Sequence, residues 1–236
     1  MKKAAFFVEG QTEALFIERL LLEVAGRQNL HLDRAEARGG SSFPRFVTIV
    51  HSRKNSQAKY YTYIIDCHGE SRVFSDVIDH YSTLISNGHT LVVGIRDIHP
   101  NHKRAEIPRL RQSSIRNFRR ILGTPNLAHP IFGVMEVESW FLSNYSHLNK
   151  IHPDLNHLAV QTGLGIDLVN DNLEHIDIPS QLLHDIYQLK GRAYSKNRAH
   201  IERTLNALDY EQLYLQDRLR LKDLNALIAL IDQFLA

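Results

Sequence analysis

Acidic side chains at the ends of apolar runs are the groups in this chain best placed to do chemistry. Glu9 follows residues 4–8, Asp66 follows 60–65, Asp97 comes just after 89–95, and Glu136 and Glu138 follow 129–134. Each run reads as a buried strand, and 60–65 is rich in β-forming aromatic and branched residues. Open α/β sheets collect functional groups along the edge formed by the carboxyl ends of their strands. Acids at that edge converge in space though they are far apart in sequence. Gathered carboxylates repel one another and are costly unless something neutralises them. A divalent cation with oxygen ligands answers that need, and Mg²⁺ takes carboxylates and waters in an octahedron. Two such ions could clamp the attacking and leaving oxygens of a phosphodiester. The structural alternative is that each acid only caps a helix or forms a turn.

Glu136 and Glu138 are a separate question. On a strand, residues two apart share a face, so both could reach one ion. If the chain turns helical at Glu136 the two diverge, and Glu138 sits in a first helical turn, where acids are stabilised. Glu136 is then the strand-end acid. His68 and His99 stand beside Asp66 and Asp97 and could ligate metal or move protons, but they are two among 14 histidines. Cys67 has no partnered base that would activate it. Trp140, Phe141 and Leu142 read as core packing at a helix start.

The elements that must position these groups alternate. A strand over 3–9 leads through Gly10 into a helix over 12–26 that Gly26 ends. Residues 30–37 alternate as a strand would. Residues 38–42 form a flexible loop, 43–50 fit either strand or helix, and 52–59 form an exposed connection. A helix over 71–86 presents Phe74, Ile78, Tyr81 and Ile85 on one face and stops at Asn87-Gly88. Another helix spans 107–122. Strands separated by crossover-length helices argue for a mainly parallel sheet covered on both faces. After about Asn144 strand-like runs vanish and leucine-spaced helical segments follow, at 182–189, 199–208 and 221–235. The expected organisation is therefore an α/β domain over 1–145 and a helical C-terminal extension over 146–236 packed on it.

Bulk properties exclude little. The formal net charge is +2, with 43% hydrophobic and 23% charged residues, the profile of a globular chain. No apolar run approaches the roughly 20 residues needed to span a bilayer, and the apolar stretch after Met1-Lys2-Lys3 ends too soon for a signal peptide. Cys67 is the only cysteine, so no intrachain disulfide forms. The expected compartment is the cytoplasm. Charge is uneven, however. Lys103, Arg104, Arg109, Arg111, Arg116, Arg119 and Arg120 crowd one stretch with Glu106 as the only acid among them, which suits a phosphate backbone or a solvated helix face.

The strand end Val8-Glu9-Gly10 followed by Thr12-Glu13 resembles the first motif of the Toprim domain, the metal-binding fold of topoisomerases, primases and OLD-family nucleases. In that fold a later strand ends in Asp-x-Asp; here it ends in Asp97-Ile98-His99, so the second aspartate is a histidine. Glu136-Val137-Glu138-Ser139-Trp140-Phe141-Leu142 resembles the Glu-x-Glu-x-Trp-(Phe/Leu)-Leu segment of small bacterial Toprim-like proteins. Tyr194-Ser195-Lys196 matches their basic segment near the C-terminus. The resemblance covers roughly residues 3–142, with an echo near 190–200. It implies a Mg²⁺- or Mn²⁺-dependent nuclease acting on DNA or RNA, in repair or phage defence. Glu9 would serve at the scissile phosphate or as a ligand, Asp97 as a ligand, and Glu136 or Glu138 at a second site. Lys196 would stabilise transition-state charge. Histidine at 99 is softer than aspartate and better suited to Mn²⁺ or Zn²⁺. The alternative is a catalytically degenerate binding or regulatory subunit whose partner is an ATPase encoded nearby; this chain has no Gly-x-x-x-x-Gly-Lys-(Ser/Thr) loop of its own.

Overall fold

The computed structural model describes residues 1–40, 44–123 and 126–236. It is an α/β fold with a six-stranded, mostly parallel sheet, flanking helices and a helical C-terminal region. The strands are β1 Lys2–Val8, β2 Leu30–Arg38, β3 Phe46–Arg53, β4 Tyr60–Asp66, β5 His89–Asp97 and β6 Ala128–Gly133. Their order is β3-β2-β4-β1-β5-β6. β1 runs parallel to β4 and β5, β4 runs parallel to β2, and β3 is antiparallel to β2. The helices are α1 Gln11–Ala25, α2 Glu70–Ser86, α3 Ile107–Leu122, α4 Glu138–Ser143, α5 Leu148–Ile151, α6 His157–Leu164, α7 Pro179–Gln188, α8 Arg198–Ala207, α9 Tyr210–Leu215 and α10 Lys222–Leu235. Among the described residues no helix is long and apolar enough to cross a membrane.

The chain folds as two compact units. The first comprises Met1–Arg96, Ala105–Phe132 and Ala229–Ala236; the second comprises Asp97–Arg104 and Gly133–Ile228. The division follows four chain crossings, not a single boundary near residue 145.

In the first unit, Ala4 to Val8 are fully buried. Burying a Phe or Val side chain contributes about 1.5–3 kcal/mol, which makes β1 the spine of the sheet. α1 starts at Gly10, whose N–H donates to Glu13 Oε2 at 2.9 Å, so Glu13 supplies the reach-back of a capping box. The ambiguous stretch after residue 43 resolves as strand β3; residues 41–43 lie outside the described residues. The end of β2 and the start of the expected polar connection at 52 also belong to strands. On α2, Val73, Val77 and Leu84 are the deeply buried face, while Phe74, Ile78, Tyr81 and Ile85 flank it half-buried. The aromatic spacing thus marks the flank of the helix, and the smaller residues its centre. The packing against α2 is close: a Cβ added at Gly94 would sit 3.0 Å from Phe74 and 3.2 Å from Val77, so this position of β5 has no room for a side chain. α2 also buries Asp76, which pairs with the Arg45 guanidinium.

Candidate functional site

The second unit gathers five of the expected site residues: Asp97, His99, Glu136, Glu138 and Lys196. The local backbone explains how. β6 ends at Gly133, where a Cβ would stand 2.3 Å from Asp97 Oδ1 and 3.0 Å from Val137 N. Glycine lets the Asp97 carboxylate lie against the chain, where Oδ1 accepts the Val137 N–H at 3.0 Å. Two residues on, Met135 adopts φ 61, and the Glu136 N–H donates to Val134 O at 2.9 Å. That is a three-residue turn held in a region costing on the order of 1–3 kcal/mol for a bulky side chain. The Met135 carbonyl accepts the N–H groups of Ile98 at 3.1 Å and His99 at 2.8 Å. Those two bonds fix Asp97-Ile98-His99 beside Glu136.

Lys196 lies in the loop between α7 and α8. Its Nζ is 3.2 Å from Glu136 Oε1, 3.6 Å from Glu138 Oε2 and 4.0 Å from Asp97 Oδ2. The three acid side chains are 3%, 6% and 0% exposed (Asp97, Glu136, Glu138), whereas the lysine side chain is 45% exposed. Three buried carboxylates therefore surround the ammonium of one half-exposed lysine. Glu136 Oε2 also accepts the Ser180 N–H at 2.7 Å, in the first turn of α7, where helix amides favour negative charge. His99 Nδ1 is 3.6 Å from Glu136 Oε1. Glu138 Oε1 accepts the Tyr194 hydroxyl at 2.9 Å. The loop is pinned on both sides. His184 Nδ1 bonds the Tyr194 carbonyl at 2.8 Å, the Arg203 guanidinium donates to the Ala193 carbonyl, and Asn197 caps α8 by accepting the His200 N–H at 2.9 Å.

Burial pushes the Glu136 carboxyl up. Lys196 and the Ser180 amide outweigh it, and the net pKa lies below the ordinary value of 4.5. Glu136 is thus held ionised. Glu138 opens α4, so the chain does turn helical here, yet Glu136 and Glu138 do not diverge: both reach Lys196. The Met135 turn re-aims Glu136 and removes the conflict between the two sequence alternatives. Trp140, Phe141 and Leu142 are buried in the core of α4.

Glu9 and Asp66 lie in the first unit. Val8, Asp66 and Glu36 are neighbours in register across β1, β4 and β2. Asp66 Oδ1 accepts the His68 N–H at 2.9 Å, and His68 also faces Glu36 at 3.4 Å. Burial raises the Asp66 pKa, which the His68 amide only partly offsets. The backbone of Glu9 accepts the Gly69 N–H at 2.9 Å. Glu9 is half-buried and does not cap α1. Cys67 is buried, and burial pushes its thiol pKa up, away from the reactive thiolate.

The basic stretch divides among several tasks. Arg104 is committed to the Glu174 carbonyl and to Asp177 at 2.7 Å. Arg111 stacks on Phe132 at 5.5 Å. Arg96 lies over Phe74 at 5.7 Å. Lys103, Arg109, Arg116, Arg119 and Arg120 are exposed. Arg109, Arg116 and Arg120 lie seven and four residues apart, on one side of α3. Ile107 and Phe118 are buried on the opposite side.

The donor chemistry of the second-unit cluster suits a hard cation, because carboxylate oxygens are the ligands Mg²⁺ and Mn²⁺ prefer. As the side chains stand, no group of three or more His, Cys, Asp or Glu among the described residues is disposed to hold a metal ion. Lys196 holds the centre at ion-pair distances. The parts of this site hidden in the sequence are Gly133, Met135, Ser180 and the Tyr194 hydroxyl. Of these, only Ser180 had a signal beside it, Pro179, since proline favours the first turn of a helix. Compared with family models, with curated proteins and with solved structures, the chain matches none.

Proposed function

We propose that this protein is a Toprim-like, metal-dependent nucleic-acid-processing protein that hydrolyses phosphodiesters, with Mg²⁺ or Mn²⁺ as its cofactor. The observation that carries this reading is the convergence of Asp97, Glu136 and Glu138 around the ammonium of a half-exposed lysine. Gathering three buried carboxylates is costly in a fold that needs no cation there. Asp97, Glu136 and Glu138 would hold the ion, with His99 beside them. A bound divalent ion supplies Lewis-acid stabilisation of a phosphoryl oxygen. Lys196, displaced toward solvent, would face the developing charge. Glu9 is assigned a role in the same chemistry by the Toprim resemblance alone, and Asp66, singled out only as a strand-end acid, is not assigned to the ion. The exposed arginines of α3 would hold the backbone of DNA or RNA, and repair or phage defence is the setting this chemistry fits.

The test is cleavage of labelled DNA and RNA with Mg²⁺ or Mn²⁺. Asp97→Asn and Glu138→Gln should each lower the rate by about a hundredfold or more, the scale of losing a transition-state charge contact. Wild-type rates in both variants would remove the cluster from the reaction.

A second reading has its own support. Lys196 sits among the carboxylates as a structural ion-pair partner would, and His99 stands in place of an acid. A regulatory subunit working with a separate ATPase fits those facts. It predicts nucleic-acid or protein binding without cleavage under any metal.

A further inference from the structure

We propose that strand β3 is a homodimerisation edge, pairing antiparallel with β3 of a second copy of this chain. β3 ends the sheet order and, among the described strands, pairs only with β2. Its other side therefore presents backbone N–H and C=O groups outward. Such an edge is a template for another strand unless it is short, charged or covered. β3 is neither short nor, among the described residues, paired on its outer side: it is eight residues long, its charge is confined to one end, and apolar side chains elsewhere along it lie open. Phe46, Ile49 and Val50 are 55%, 53% and 49% exposed. On an edge meant for water these positions would be lysine or glutamate.

The pattern of charge selects the occupant. The strand is uncharged from Phe46 to Val50, with Thr48 its one polar residue there, and basic at its far end, at His51 and Arg53, with Lys54 just beyond it. A second copy running antiparallel sets the basic end of each strand against the Phe46 end of the other. Ile49 and Val50 of the two copies then meet near a two-fold axis. The Arg53 guanidinium comes opposite the Phe46 ring, a favourable pairing. A parallel copy would oppose the cations directly, which destabilises strand pairs. The edge is thus self-complementary in the isologous sense that two-fold dimers require.

The experiment measures molar mass by light scattering across about a hundredfold range of concentration, where mass action must reveal a dimer. It is run for wild type and for Ile49→Lys combined with Val50→Lys. Both side chains are about half exposed, so the double variant should keep its helical and strand circular dichroism and its melting temperature. Wild type should approach twice the chain mass as concentration rises, and the double variant should stay at one. Hydrogen exchange over residues 46–53 should slow in the dimer and quicken in the variant. A wild type that stays monomeric, or a dimer that survives both lysines, overturns the proposal.

Discussion

Two groups of acids in this molecule make opposite use of burial. In the first unit, Asp66 is buried beside Glu36 and His68, and desolvation dominates: its pKa rises. In the second, Glu136 is equally removed from water, yet Lys196 and the Ser180 amide bring its pKa below the ordinary value. The difference is not depth but what the backbone aims at the carboxylate. Asp66 receives one amide from the turn that follows its own strand. Glu136 receives a helix amide and an ammonium from distant segments of its unit. In the proposed function, a carboxylate held ionised among other carboxylates would take a cation, and one that burial pushes toward protonation would not.

The most disruptive way to break this contrast is Gly133→Ala. The added Cβ would meet Asp97 Oδ1 at 2.3 Å, so the carboxylate must leave the Val137 amide. Denaturant titration should show a loss of about 3 kcal/mol, the upper part of the range for overpacking. An unchanged midpoint would mean that the Gly133 backbone does not hold Asp97 in place.

Lys196→Met comes next. It leaves Asp97, Glu136 and Glu138 without their ammonium. The expected loss is about 2 kcal/mol at neutral pH, below the 3–5 kcal/mol of a fully buried pair because the lysine is partly solvated. Added Mn²⁺ should restore stability in this variant more than in wild type. Destabilisation that Mn²⁺ leaves untouched would mark the cluster as purely structural.

Tyr194→Phe removes the hydroxyl that Glu138 accepts at 2.9 Å. A loss of about 1 kcal/mol is expected for a buried hydrogen bond, read from thermal unfolding at neutral pH. No change would place the Glu138 contact outside the energetics of the fold.

The smallest effects sharpen the comparison by their sign. The Glu136 pKa is lowered on folding, so its contribution is present above about pH 4.5 and disappears as pH falls through the folded value. The Asp66 pKa is raised, so stability is lost as pH rises from about 3.8 through its folded value. Stability measured against pH should show Glu136→Gln weakest relative to wild type near neutrality, with the gap closing in acid. Asp66→Asn should instead gain on wild type as pH rises. Parallel curves for the two variants would erase the distinction between the groups.

Much of this arrangement was legible in the residues. The apolar runs located β1, β4, β5 and β6 because each of these strands buries a run of apolar side chains. The helix over Ile107–Leu122 was legible from its ends and its basic face. The pattern of acids after strands named the carboxylates, and the Tyr194-Ser195-Lys196 segment named the lysine. What could not be read was non-local or conformational. Nothing in Met135 announces a positive φ, since methionine has no preference for it. Phe43 to Val50 fitted either element because β3 is an edge strand with little burial to impose alternation. The buried face of α2 was misjudged because Val73 and Val77 are small and Phe74 and Tyr81 are not. The Ser180 amide and the placement of Lys196 depend on how α7 and α8 pack, which spacing along the chain does not encode.

The most direct test of the account is calorimetric titration of the metal-free protein with Mn²⁺ and with Mg²⁺, wild type beside Asp97→Asn and Glu138→Gln. The account predicts saturable binding to the wild type that each substitution weakens severely, while Asp66→Asn binds as wild type does. Binding that survives both substitutions, or no binding to the wild type at millimolar metal, would contradict the claim that these buried carboxylates hold a cation.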